Sequence, residues 1–283
     1  MTTSTRRQAL ALIGAALAAP ALARAEPPIR LGLTPVFLDN DGEVILRLRA
    51  ALAKGTGRAI ELVQRRTYQE VTGLLLEGGA DAAWLCGFPF LQHEESLALL
   101  GVPVWRGAPL YQSYLIVGAD DPASGLANLR GGTHAYSDPD SNSGWLVTAS
   151  DIVRMGEKPE AFFARTLFAY GHRNVARAVA GGLTRSGSMD GYVWEALAQV
   201  EPALTARTRV ISRSELLGFP PFVTRRENVA DPTVTILRTA LFDLKGSAEG
   251  QEALRLLQLD RIEAGDPALF DGIRARMRDV LGA

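Results

Sequence analysis

The sequence predicts an α/β protein of two lobes, each a mostly parallel sheet flanked by helices, joined by a hinge of two chain crossings. Three observations carry this expectation. Strand and helix signals alternate from residue 29 onward, the length suits two lobes, and the apolar pattern breaks near residue 120 and recovers near residue 210.

The N-terminus is set apart first. Thr5-Arg6-Arg7-Gln8 places a twin arginine before an uncharged apolar run from Ala9 to Ala23, and Ala23-Arg24-Ala25 is a small-x-small site. These are the parts of an export signal, with an apolar region of about 15 residues. A membrane-spanning helix needs about 20 apolar residues, and Gly14 and Pro20 interrupt this shorter run. Residues 1–25 are therefore expected to be an export signal cleaved after Ala25, and the periplasm is the expected compartment. A twin arginine marks the route that exports folded proteins, and the general secretory route accepts it as well. The 283 residues less these 25 leave 258.

Ile29, Leu31 and Leu33 alternate along a first strand. After the turn-forming Asp39-Asn40-Asp41-Gly42, Val44, Ile45, Leu48, Ala51 and Leu52 follow helical spacing until Gly55 and Gly57. A second strand covers residues 59–63. Thr67 and Glu70 form a capping box that opens a helix running to Gly78-Gly79. Residues 81–86 read as a short buried strand stopped by Gly87 and Pro89. A further strand is expected over residues 111–117, before the loop Ala119-Asp120-Asp121-Pro122. Beyond it come a strand at 132–136, a polar loop at 137–143 and helices at 144–155 and 174–180. Residues 210–211 and 219–223 read as the return crossing, with closing helices at 232–242, 247–257 and 267–281. The first lobe is thus expected over 26–118 and 210–283, the second over 119–209.

Composition excludes some functions. Thirty basic residues balance thirty-one acidic ones, whereas nucleic-acid binding calls for a basic excess or stripe. Cys86 is the single cysteine, so no intramolecular disulfide forms.

Thr67-Tyr68-Gln69-Glu70 followed by Gly78-Gly79-Ala80-Asp81-Ala82-Ala83-Trp84, and then Ser137-Asp138-Pro139-Asp140-Ser141-Asn142-Ser143-Gly144-Trp145, resemble in order the periplasmic binding proteins for phosphonate, phosphite and phosphate that serve ABC importers. Gly171-His172 and Met189-Asp190-Gly191-Tyr192-Val193-Trp194 fall where that family has further cleft segments. The resemblance implies a type 2 periplasmic binding fold, a small oxyanion ligand and membrane importer subunits as partners. It implies no cofactor and no catalysis, and a monomer is expected.

Candidate ligand-binding residues follow. Ser141, Asn142 and Ser143 precede a helix, where hydroxyl, amide and backbone N–H groups can converge on an anion; the same residues also serve as ordinary N-caps. Tyr68 offers a phenolic donor from the first lobe, or packs as a half-buried tyrosine. Tyr192 and Asp190 resemble a donor and an acceptor, the latter for a protonated ligand oxygen, and Asp190 equally suits helix capping. His172 is a ligand donor or a structural hydrogen-bonder. Arg173 stands where relatives that take aminophosphonates have an acid, so it disfavours an ammonium group and suits an oxyanion; a solvated surface role is the alternative. Cys86 lies at a strand end, where open α/β sheets place ligands, or is a small buried hydrophobe. Trp84-Leu85-Cys86-Gly87 is similar to a branch that senses arsenite through a cysteine and signals to a membrane histidine kinase, and a thiolate suits trivalent arsenic. A cysteine hydrolase would pair Cys86 with His93, His134 or His172, none of which stands in a catalytic motif.

Overall fold

The computed structural model describes residues 26–35 and 42–282; the expected export signal and the Asp39-Asn40-Asp41 turn lie outside them. Ile29–Leu33 (β1) pairs in parallel with Ile60–Gln64 (β2), with Ile29 opposite Ile60, and with Ala82–Trp84 (β3), with Leu31 opposite Ala82. The alternation read from the sequence is the register: Ile29, Leu31 and Leu33 are all buried. The Gly42–Thr56 and Tyr68–Leu76 helices connect these strands. Thr67 Oγ1 accepts the Glu70 amide while the Glu70 carboxylate accepts the Thr67 amide, so the expected capping box is complete.

Leu97–Val104 (β4) follows, and the chain then crosses through Leu110–Tyr111 (β5) to Ser113–Gly118 (β6). Thr133–Tyr136 (β7), Arg165–Phe168 (β8), Ser186–Asp190 (β9) and Thr208–Arg213 (β10) complete a five-stranded sheet in the order β10-β6-β9-β7-β8. The return crossing carries Leu217–Gly218 (β11) into Phe222–Arg225 (β12). With Arg261–Glu263 (β13), the first sheet has the order β13-β4-β12-β3-β1-β2. Because β12 enters from the far end of the molecule it runs antiparallel to β3 and β4, so each sheet is parallel on one side and antiparallel on the other. The expected single strand at 111–117 is divided at Gln112, and its larger part, β6, is hydrogen-bonded to β9 and β10.

The two crossings lie side by side. β5 and β11 form a two-stranded antiparallel ribbon, with Tyr111 opposite Leu217 and Leu110 opposite Gly218. The C-terminal Asp271–Leu281 helix braces it: Arg276, 2% exposed, donates to Glu215 beside β11 (2.8 Å) and to Asp151 (2.7 Å) on the Val147–Arg154 helix. Among the described residues, no helix is long and apolar enough to cross a membrane.

Candidate functional site

Three buried side chains come from the first sheet and its crossing. Tyr68 opens its helix directly after the Thr67 cap, which points the phenol inward, 1% exposed. Cys86 follows β3, whose end is held by the Trp84 indole donating to the Pro220 carbonyl (2.9 Å) and by the Leu85 amide donating to Pro221 (3.0 Å). Tyr111, fully buried, sits on the crossing ribbon.

The second sheet answers with the polar loop after β7. Asp138 accepts the Tyr68 amide (3.1 Å), so this loop touches the opposite lobe at the start of the Tyr68 helix. Asn142 donates its backbone N–H to Cys86 Sγ (3.3 Å) and its side-chain amide to Tyr111 Oη (2.8 Å). Ser141 Oγ accepts the Gly144 amide (2.9 Å), and the Ser113 hydroxyl donates to the Ser143 carbonyl (2.6 Å). The chain passes through a wide π turn, Asn142–Leu146, before the regular helix begins, a distortion common at functional sites. Gly144 makes the fold of this loop possible: a Cβ there would lie 1.7 Å from Ser137 Oγ.

His172 and Asp190 close the cluster. His172 Nδ1 accepts the Asp190 amide (3.0 Å), so in the neutral ring the proton sits on Nε2 and points at Tyr68 Oη, 3.2 Å away. Burial holds the ring neutral, with its pKa lowered to about 3. Tyr68 Oη therefore accepts from histidine, and its own proton is left to donate elsewhere. Asp190 divides its two oxygens. Oδ1 caps the Gly191–Val200 helix through the Tyr192 and Val193 amides (2.8 and 3.3 Å), whereas Oδ2 is buried with no hydrogen-bond partner among the described residues. Both roles weighed for Asp190 are thus present in one carboxyl group. Ser137 Oγ and Asn142 Oδ1 are likewise buried and unpartnered.

The cluster accordingly presents donors, the Tyr68 and Ser137 hydroxyls, beside two acceptors, Asn142 Oδ1 and Asp190 Oδ2. Burial pushes the Asp190 carboxyl up to about 7 and the Cys86 thiol up to about 12. Cys86 is a thiol that accepts a hydrogen bond, not a thiolate.

Two residues expected at the cleft point elsewhere. Arg173 follows His172 on a helix, so its side chain leaves about 100° further round the axis; it pairs with Glu201 (2.9 Å). Tyr192 turns its hydroxyl to the Leu257 carbonyl, and its ring packs edge-on against Trp105 and Phe219 (5.7 and 5.2 Å). In their places stand Tyr111, Ser137 and Asp138, which sequence reasoning did not select. Ser137 and Asp138 were within reach as the opening of the polar loop, but Tyr111 carries no motif.

A family model described as ABC transporter, phosphonate, periplasmic substrate-binding protein matches residues 32–270. The chain belongs to this family. Phosphonate-binding proteins of the periplasm are also its structural neighbours. One is a binding protein component of an ABC phosphonate transporter from Pseudomonas aeruginosa, 24% identical with a TM-score of 0.82, the match covering 90% of this chain and 88% of that one. Another is PhnD1 from Prochlorococcus marinus in complex with methylphosphonate, 13% identical with a TM-score of 0.79, covering 90% and 98%. No curated protein sequence matches the chain. As a member of this family the molecule is a substrate-binding protein rather than an enzyme. Of the three histidines weighed as partners of Cys86, His172 is occupied by Tyr68 and Asp190, His134 is held between Ser186 and Ser188 (2.8 and 2.9 Å), and His93 is exposed, so none forms a hydrogen bond with Cys86.

Proposed function

We propose that the protein captures a small phosphorus oxyanion, a phosphonate or phosphite in its singly protonated form, and delivers it to the membrane subunits of an ABC importer. The observation that carries this reading is the pairing of unpartnered acceptors with inward donors in one buried cluster. A singly protonated oxyacid takes hydrogen bonds from Tyr68 and Ser137 and returns its O–H to Asp190 Oδ2 or Asn142 Oδ1. A fully ionised ligand has no O–H to give and leaves one more buried acceptor unsatisfied, at about 1–3 kcal/mol. Cleft closure about the two crossings retains the ligand. In this reading the lobe boundaries follow the sheets: β6 and β10 pair within the second sheet, so the second lobe spans residues 113–213 and the first 26–112 and 214–283, a few residues from the expected 119–209. Export by the N-terminal signal places the protein where the importer meets it.

The position after His172 holds Arg173, which is turned away to Glu201, so no carboxylate stands there to favour an ammonium group. Methylphosphonate and phosphite are therefore expected to bind more tightly than 2-aminoethylphosphonate. A thermal-shift panel of these three with phosphate, sulfate and arsenite checks this, since stabilisation grows with the logarithm of ligand concentration. Stabilisation by no phosphorus oxyanion would overturn the proposal.

A second reading rests on Cys86 Sγ lying in the same cluster, 3.3 Å from the Asn142 amide. Arsenous acid is neutral and has three O–H donors to satisfy the acceptors. Its condensation with the thiol forms an As–S bond, with the thiol proton and one hydroxyl leaving as water. Such a ligand would suit a sensor that signals to a histidine kinase. The protonated thiol favours the phosphorus reading; stabilisation by arsenite alone, lost in Cys86→Ser, would reverse the choice.

A further inference from the structure

Above the buried cluster lies an open groove of about 650 Å³, lined from the first lobe by Leu33, Gln64, Arg65, Arg66 and Glu70 and from the second by Ala169, Tyr170 and Asn174. The groove opens between the two lobes: Arg66 and Glu70 each stand two residues from Tyr68, and Tyr170 stands two residues from His172, so it borders the Tyr68–His172 contact without being lined by either residue. Arg65 and Arg66 are exposed, and neither guanidinium forms an ion pair among the described residues. Glu70 is the one acid lining the groove, and its carboxylate accepts the Arg66 and Thr67 amides. Among the described residues that line it, two positive charges stand against one negative charge. Opposite them, Tyr170 is held at φ 50° and is 42% exposed. Left-handed backbone at a bulky residue is strained, and such strain gathers at ligand clamps and switch regions.

We propose that this groove is the mouth of the cleft and a second subsite, which takes an anionic tail, a carboxylate, carried by the ligand whose oxyanion end sits in the buried cluster. The proposal rests on the oxyanion reading and deepens it: the substrate class becomes phosphonates with a carboxylate at the end of a short carbon chain. Arg65 and Arg66 supply charge-assisted hydrogen bonds to the carboxylate, and Tyr170 walls the tail from the other lobe. Tail binding therefore joins both lobes and adds to closure.

The test is isothermal titration of the exported protein with methylphosphonate, phosphonoacetate, 3-phosphonopropionate and 4-phosphonobutyrate, repeated on the Arg65→Ala, Arg66→Ala double variant. The best carboxylate is expected to bind about five- to tenfold more tightly than methylphosphonate, a modest gain for a solvated ion pair. In the double variant the gain disappears while methylphosphonate affinity holds within about twofold, which shows that the variant is folded and its floor intact. The gain also shrinks as salt rises from about 20 to 500 mM. Equal affinity for all four ligands, or a gain that survives the double variant, would overturn the subsite while leaving the oxyanion reading in place. Failure of methylphosphonate and all three carboxylates to bind would overturn both.

Discussion

The floor and the mouth of the cleft solve different problems with different chemistry. The floor is built from Tyr68, Tyr111, Ser137, Asn142, His172 and Asp190, each at most 2% exposed, and none of these residues carries a fixed positive charge. The mouth has two exposed arginines and a half-exposed tyrosine. In low dielectric an unpaired cation is costly, whereas neutral hydrogen-bonding groups discriminate by count and direction. In solvent the order reverses, because charges reach further than dipoles. In the proposed reading, depth selects the ligand's protonation state and head group, and the rim its overall charge.

The largest way to break this contrast is at Gly144. A methyl group there collides with Ser137 Oγ, so Gly144→Ala is expected to cost about 2–3 kcal/mol of stability through overpacking. It should also abolish oxyanion binding; the thermal melt with and without methylphosphonate reads both effects. Tyr68→Phe removes the inward donor and strands the His172 Nε2–H, so affinity is expected to fall by about 1.5 kcal/mol, roughly tenfold, by titration calorimetry.

Asp190→Asn sharpens the contrast through pH. The folded carboxyl has a pKa of about 7 against an ordinary 3.8, so its contribution to stability is complete below 3.8 and is lost as pH rises through 7. The variant lacks this loss. It is expected to be more stable than the parent by about 2 kcal/mol at pH 8, with the difference shrinking toward pH 4. Wild-type oxyanion affinity should weaken from pH 6 to 8, and flatten in the variant. The histidines act in the opposite direction. Burial lowers His134 and His172 to about 3 from 6.5, so the stability they contribute is present above 6.5 and lost as pH falls toward 3, visible as a falling melting temperature on acidification.

The smallest effect belongs to Cys86→Ser. The new hydroxyl still accepts the Asn142 amide, so phosphite or methylphosphonate affinity should change by less than about threefold. In the parent, the thiol should resist a water-soluble thiol reagent until the protein unfolds.

Much of this architecture was legible in the sequence where one physical signal dominated. β1 and β2 alternate, the Tyr68 helix has its complete cap, and the helices after residue 232 carry clear apolar spacing. β4, β8, β9 and β13 were not read. Leu97–Val104 is continuously apolar and contains Gly101 and Pro103, which speak against a strand. Ser186–Asp190 is wholly buried, yet Met189 is its one apolar side chain of any size beside serine, glycine and aspartate, so neither hydrophobicity nor alternation marks it. Among site residues, the loop 141–143, Tyr68, Cys86, His172 and Asp190 converge as a set because each follows a strand end or opens a helix. Arg173 and Tyr192 show the limit of that reasoning. A helix start fixes which residues are near, and its rotational phase decides which of them face inward. That phase is set by packing: by Glu201 of the same lobe for Arg173, and by Leu257, Trp105 and Phe219 of the first lobe for Tyr192.

The ribbon formed by β5 and β11 has a mechanical meaning. Two separate strings between two bodies permit twisting as well as bending, but strings laced to each other form a flat strap, which folds easily about one line and resists torsion. Tyr111, whose hydroxyl meets Asn142 across the cleft, is woven into that strap. In the proposed reading, a ligand that rearranges Asn142 pulls directly on this ribbon, and the opening angle offered to an importer becomes a readout of what lies on the floor.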